Sequence, residues 1–197
     1  MLVISRQRHE PAENIETAAR LAAKFNTAVL SIPFLYDIPV GSPVIERLRY
    51  LSEPAYFLVP LSERSVKNLL HYLQIPYADV FESESAVVLP DGGISGGQID
   101  RLDDLPNPRW YPIIDVSQCT ACLECVNYCL FGVYTIGDGS YPFVGQPDSC
   151  RDGCPACARV CPSQAIMFPL YEDRGIAGYE QKSPDALDDL VDLVEQI

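Results

Sequence analysis

The sequence predicts an α+β protein: a small N-terminal α/β domain of βαβαβα order, then a cysteine-rich module, then a C-terminal helix. Three observations carry this reading. Short apolar runs alternate with helix-period segments over residues 1–75. All eight cysteines fall between residues 119 and 161, in two arrays. A proline-capped amphipathic pattern closes the chain from Ser183 onward. The divisions that follow are an α/β domain over 1–100, a linker over 101–111, the cysteine module over 112–171, and an acidic tail with its helix over 172–197.

Leu2-Val3-Ile4 is an apolar run of strand length, and Ile15, Ala18, Ala19 and Ala22 then recur at helical spacing on one face. A second strand, Ala28-Val29-Leu30-Ser31-Ile32, leads through Pro33, Pro39 and Gly41 to Ser42-Pro43. That pair is a helix start, because proline lacks the N–H that the first turn leaves unpaired; Ile45 and Leu48 then face the core. A third run, Tyr56-Phe57-Leu58-Val59, precedes a helix with Val66, Leu69, Leu70 and Leu73 on one stripe. Strands alternating with helices imply a small parallel sheet. Beyond it, Ala86-Val87-Val88-Leu89 fits one more strand, while Pro90-Asp91-Gly92-Gly93 and Gly96-Gly97 read as turns. Leu105-Pro106-Asn107-Pro108 reads as linker, and Ser183-Pro184 caps a last helix with Leu187, Leu190, Val191 and Val194 on its apolar stripe.

Charge narrows the partners. The chain of 197 residues carries a net −13, spread as +1 over 1–75, −6 over 76–118, −2 over 119–171 and −6 over 172–197. The acidity thus flanks the cysteines, repels nucleic acid and anionic membrane, and suits a redox protein partner with a basic docking face. No apolar run reaches the roughly 18 residues of a membrane span, so no membrane insertion is expected. Met1–Arg6 lacks the basic-then-apolar order of a signal peptide, and the expectation is a cytoplasmic protein. In a reducing compartment, dense cysteines serve metals more often than disulfides.

The first array is Cys119-x2-Cys122-x2-Cys125-x3-Cys129, and the second is Cys150-x3-Cys154-x2-Cys157-x3-Cys161-Pro162. Such short gaps let three thiolates of one loop reach three corners of a single iron–sulfur cube, with the fourth ligand coming from elsewhere. Zinc is the weaker alternative, since its sites favour two separated cysteine pairs closing one tetrahedron. Cys150-x3-Cys154-x2-Cys157 also resembles the triad of radical-SAM enzymes, but Cys161-Pro162, the first array and the short surrounding chain argue against that family.

With these arrays, Asp148 before Cys150, and Ala165-Ile166 after Cys161-Pro162, residues 112–170 resemble a bacterial-type two-[4Fe–4S] ferredoxin domain. The resemblance implies two [4Fe–4S] clusters with crossed ligation. Cys119, Cys122, Cys125 and Cys161 would hold the first cluster, and Cys129, Cys150, Cys154 and Cys157 the second. It also implies one-electron transport, with no acid–base side chain. Two departures stand out: Leu130 replaces the proline usual after the fourth cysteine, and the loop Cys150–Cys154 has one residue more, which Gly153 can absorb at positive φ.

The front domain has no G-x-G-x-x-G, so NAD and FAD binding are unsupported. Leu2–Ser5 through Pro11–Asn14, with Ser31–Pro39 further on, resembles the class II sirohydrochlorin and cobalt chelatases. That family sets a metal-binding histidine after its first strand, where this chain has Ser5 and Arg6, with His9 a few residues later and His71 on a helix surface. Two functions are therefore carried forward: an iron–sulfur electron carrier whose front domain selects partners, and a tetrapyrrole-related enzyme or redox-enzyme subunit with an attached ferredoxin domain. Arg6, Arg8, Arg47, Arg49, Arg64 and Lys67 read as scattered solvated charges or as one basic face. Trp110 is expected to pack the linker on the cluster module, and Tyr128, Phe131 and Tyr134 to shield a cluster from water.

Overall fold

The computed structural model describes residues 1–8, 13–83, 99–102 and 106–179. They form a mixed α/β protein. Its main sheet has strands β1 (Leu2–Ser5), β2 (Val29–Ile32), β3 (Ala55–Leu58), β4 (Tyr77–Phe81) and β5 (Ile99–Arg101) in the order β4-β3-β1-β2-β5, every pair parallel. β1 lies at the centre, which is why Leu2, Val3 and Ile4 are all buried and read as an unbroken apolar run.

Helices cover both faces. α1 (Glu13–Phe25) packs Ala18, Leu21 and Ala22 against Leu2, Ile4, Val29 and Leu58. α2 (Pro43–Arg49) and α3 (Glu63–Tyr72) lie on the opposite face with Val3, Leu30 and Phe57. The change of face follows from right-handed crossovers, because the chain moves one way from β1 to β2 and the other way from β2 to β3. α2 starts where the sequence marks it, Ser42 Oγ accepting from Ile45 N at 3.3 Å, and α3 is capped in the same way, Ser62 Oγ accepting from Ser65 N at 3.2 Å.

The structure corrects three readings. Ala19 is exposed, and Leu21 takes its place on the apolar face of α1. Strands β4 and β5 were not expected; as sheet edges they expose Ala78, Asp79, Ile99 and Arg101, so neither shows an apolar run. Arg6 is no solvated charge but a buried one, donating to the Leu102 carbonyl at 2.5 Å. The strand expected at 86–89, the turns at 90–97, His9 and the final helix lie outside the described residues.

The cysteine-rich segment is bracketed by the antiparallel pair β6 (Ile113–Ile114) and β9 (Ile166–Met167). Between them come α4 (Glu124–Tyr128), the hairpin of β7 (Tyr134–Ile136) with β8 (Pro142–Val144), and α5 (Ala156–Val160). One apolar core runs from Phe57, Leu69 and Leu70 through Tyr111 and Ile113 to Met167 and Phe168, so this segment packs on the α3 face of the sheet.

Polar pins fix that contact. Tyr36 and Tyr111 stack at 4.4 Å; Tyr111 N donates to Tyr36 Oη at 2.8 Å and Tyr111 Oη to the Tyr36 carbonyl at 2.9 Å. Arg8 Nε meets Asp37 Oδ2 at 2.8 Å, and Asp37 Oδ1 accepts from Arg109 N at 2.9 Å. Arg64 Nε meets Asp115 Oδ2 at 2.8 Å. Ser62 Oγ and Ser65 Oγ both reach the Ala177 carbonyl, at 3.0 and 2.8 Å.

Candidate metal centre

Each array wraps the start of a five-residue helix. Cys125 is the second residue of α4 and Cys157 the second of α5, and both are buried where the two helices meet. The loop ahead of α4 turns through two left-handed residues, Ala121 (φ 55°) and Leu123 (φ 61°). Non-glycine residues hold that conformation only where the surroundings demand it. Gly153 (φ 71°) occupies the matching place before Cys154, and Cys154 N donates to the Arg151 carbonyl at 3.1 Å, so a tight turn takes up the extra residue. The fourth cysteines leave their helices as extended C-caps, Cys129 at φ −78°, ψ 110° and Cys161 at φ −71°, ψ 111°.

That exit sends each fourth cysteine to the other loop. Cys119, Cys122, Cys125 and Cys161 line one cavity with Ile114 and Ile166. Cys129, Cys150, Cys154 and Cys157 line another, of about 180 Å³, with Pro112, Val133 and Tyr134. Among the described residues no three His, Cys, Asp or Glu side chains converge tightly enough to hold a single metal ion. The thiols ring cavities rather than a point, whereas zinc draws its sulfurs to about 2.3 Å of one centre.

Burial pushes the Cys125 and Cys150 thiols up to about 12 and Cys157 to about 11, and neighbouring thiols add to the rise. Thiolates persist in such a place only beside positive charge, which iron supplies. A second observation agrees: the Tyr134 hydroxyl is buried in the second cavity without a hydrogen-bond partner. Four thiols and a spare donor around one cavity fit an iron–sulfur cluster.

Comparison with known proteins bears on this geometry. Residues 118–166 match the 4Fe–4S dicluster domain family. Residues 118–166 are a 4Fe–4S ferredoxin-type segment. The chain is also 41% identical over 61 residues to an uncharacterized ferredoxin of Methanocaldococcus jannaschii, an overlap of 30% of this chain and 41% of that protein. It therefore spans about two-fifths of the length of the relative it matches.

Around the ferredoxin-type segment, Trp110 does what the sequence suggested: it stacks on Phe168 at 5.2 Å and donates from Nε1 to the Cys154 carbonyl at 3.2 Å. Tyr128, Phe131 and Tyr134 all line the second cavity, but only Tyr134 is buried, while Tyr128 and the neighbouring Leu130 face outward. His71 is exposed on α3. Two supports were not foreseen. Asp115 accepts from Ser117 and Arg64 through its side chain, and its carbonyl accepts from Cys119 N at 3.0 Å, so it anchors the first loop. Tyr36 and Tyr111 give no signal in sequence, being two aromatics 75 positions apart. Among the described residues no helix is long and apolar enough to cross a membrane.

Proposed function

We propose that this protein carries single electrons between redox proteins through two [4Fe–4S] clusters, the first held by Cys119, Cys122, Cys125 and Cys161 and the second by Cys129, Cys150, Cys154 and Cys157. The observation that supports it is the partition of the eight thiols into two cavities of four, each taking its fourth thiol from the other array. Bound in such a site, a [4Fe–4S] cluster takes up and gives back one electron with little movement of atoms.

The side chains do the rest. Cys125 and Cys157, at the meeting of α4 and α5, keep the two sites close enough for exchange between them. Ala165 N donates to Cys161 Sγ at 3.3 Å and steadies that thiolate. Pro112, Val133 and Tyr134 keep water from the inner side of the second site, while exposed Tyr128, Leu130 and Phe131 form its outer lip. A partner meets the protein there, drawn by the −6 charge on either flank of the cysteines, and presents a basic docking face.

Iron and acid-labile sulfide on anaerobically purified protein test the reading, with EPR before and after dithionite. The expected result is close to eight of each and two interacting S = 1/2 centres. Cys129→Ser should disturb the second centre more than the first; loss confined to the first disproves the crossing. About four irons, or zinc without sulfide, overturns the two-cluster carrier.

A second reading rests on a cleft of about 240 Å³ between the C-terminal ends of β1 and β3, lined by Ser5, Gln7, Thr17, Pro60 and Glu82. Open parallel sheets bind ligands where the strand order reverses, and β1 and β3 flank that point. This favours a front domain that binds a small substrate beside the redox centres, as the chelatase resemblance implies. Metal insertion into sirohydrochlorin no faster than the uncatalysed rate removes the chelatase form of it.

A further inference from the structure

Tyr134 is placed by the β7–β8 hairpin. It pairs with Val144 and both side chains turn inward, whereas Thr135 and Phe143, the next pair, face outward. The ring is therefore held by strand register, and its hydroxyl ends in the cavity of Cys129, Cys150, Cys154 and Cys157. There it reaches no water and makes no hydrogen bond of full geometry. A buried hydroxyl without an acceptor is destabilising, so a tyrosine here calls for a reason that phenylalanine would not meet.

A phenol hydroxyl has one proton to donate, and the groups that share this cavity with it include the four sulfurs of Cys129, Cys150, Cys154 and Cys157. The first cavity differs: Tyr134 does not line it, and its Cys161 sulfur takes Ala165 N at 3.3 Å with Ser163 Oγ at 3.6 Å.

Resting on the two-cluster reading, we infer that Tyr134 donates a hydrogen bond from Oη to sulfur of the second centre and raises that centre's reduction potential, leaving the first unchanged. The physical reason is general: a donor to sulfur stabilises the more negative, reduced state more than the oxidised one, and does so strongly where water is excluded.

The test is an EPR-monitored redox titration of the holoprotein and of Tyr134→Phe, the second centre being the one that Cys129→Ser perturbs. With iron content unchanged, the reduction equilibrium of the second centre should shift about tenfold toward the oxidised form, about 59 mV for one electron. The first centre should hold its potential. A fluorotyrosine at position 134 keeps the ring and sharpens the donor, and should move the second centre upward. Full iron with both potentials unchanged, or equal shifts at both centres, overturns the inference. If Tyr134→Phe loses iron, the fluorotyrosine protein decides: an unmoved second potential overturns it. Fewer than eight irons in the unaltered protein is a different failure, that of the two-cluster reading itself.

Discussion

The sheet region and the cysteine segment are built on different physics. In the sheet region, α1 runs 13 residues and α3 runs 10, and Val3, Phe57, Val66, Leu69 and Leu70 are fully buried. That is enough apolar surface removed from water to hold the region together. In the cysteine segment no strand exceeds three residues and no helix exceeds five, and two of its buried side chains are thiols. Its own apolar interior is small, so its order depends on what the thiols hold and on the α3 face beneath it.

Removing iron should expose that difference most fully. For small metal-held modules the metal's binding free energy is largely folding free energy. With the iron stripped by a chelator, amide exchange over residues 113–167 should rise toward the unprotected rate, while α3 keeps its protection. Trp110, the only tryptophan, sits against the Cys154 carbonyl and should report the change by fluorescence. Unchanged protection over 113–167 would break the comparison.

Gly178→Ala comes next, and it acts on the contact between the two regions. Gly178 has φ +89°, and a Cβ there would meet Met167 Sδ at 2.7 Å and Ser62 Oγ at 2.8 Å. Positive φ and overpacking together should cost about 2–4 kcal/mol, read as a lower denaturation midpoint. A midpoint within error of the unaltered protein would mean that the 173–179 turn does not bear on the contact.

Asp115→Asn should have the smallest effect, about 1–3 kcal/mol, by leaving the Arg64 guanidinium short of a charged partner. Burial by itself would raise the Asp115 carboxyl, but hydrogen bonds from Ser117 and Arg64 outweigh it and hold the group below the ordinary carboxylate value. Its stabilising contribution is therefore present above the unfolded value of about 3.9 and is lost as pH falls through the lower folded value. The unaltered protein should lose stability to acid there, and Asp115→Asn should lose less. Parallel acid curves would assign the effect elsewhere.

Much of both regions is legible in the sequence, for identifiable reasons. Central strands such as β1 and β2 are buried on both faces and read as continuous apolar runs, and Ser42-Pro43 announces α2 because an N-cap acts within one turn. The edges β4 and β5 are not legible, since half of an edge strand is wet. In the site, the cysteine spacing identifies the chemistry, and glycine at 153 announces a left-handed turn. Ala121 and Leu123 adopt the same turn without any residue signal, because the loop and not the side chain imposes it.

By itself the sequence determined the order of the first three strands and their helices, the acidity around the cysteines and the ferredoxin-type segment. These rest on periodicity, charge and short spacing, all of which act over a few residues. Only the tertiary structure decided that Arg6 is buried, that Tyr36 meets Tyr111, and that the Tyr134 hydroxyl is buried in the second cavity. Each of these depends on which elements pack together, and long-range packing leaves no local mark on the residues that meet.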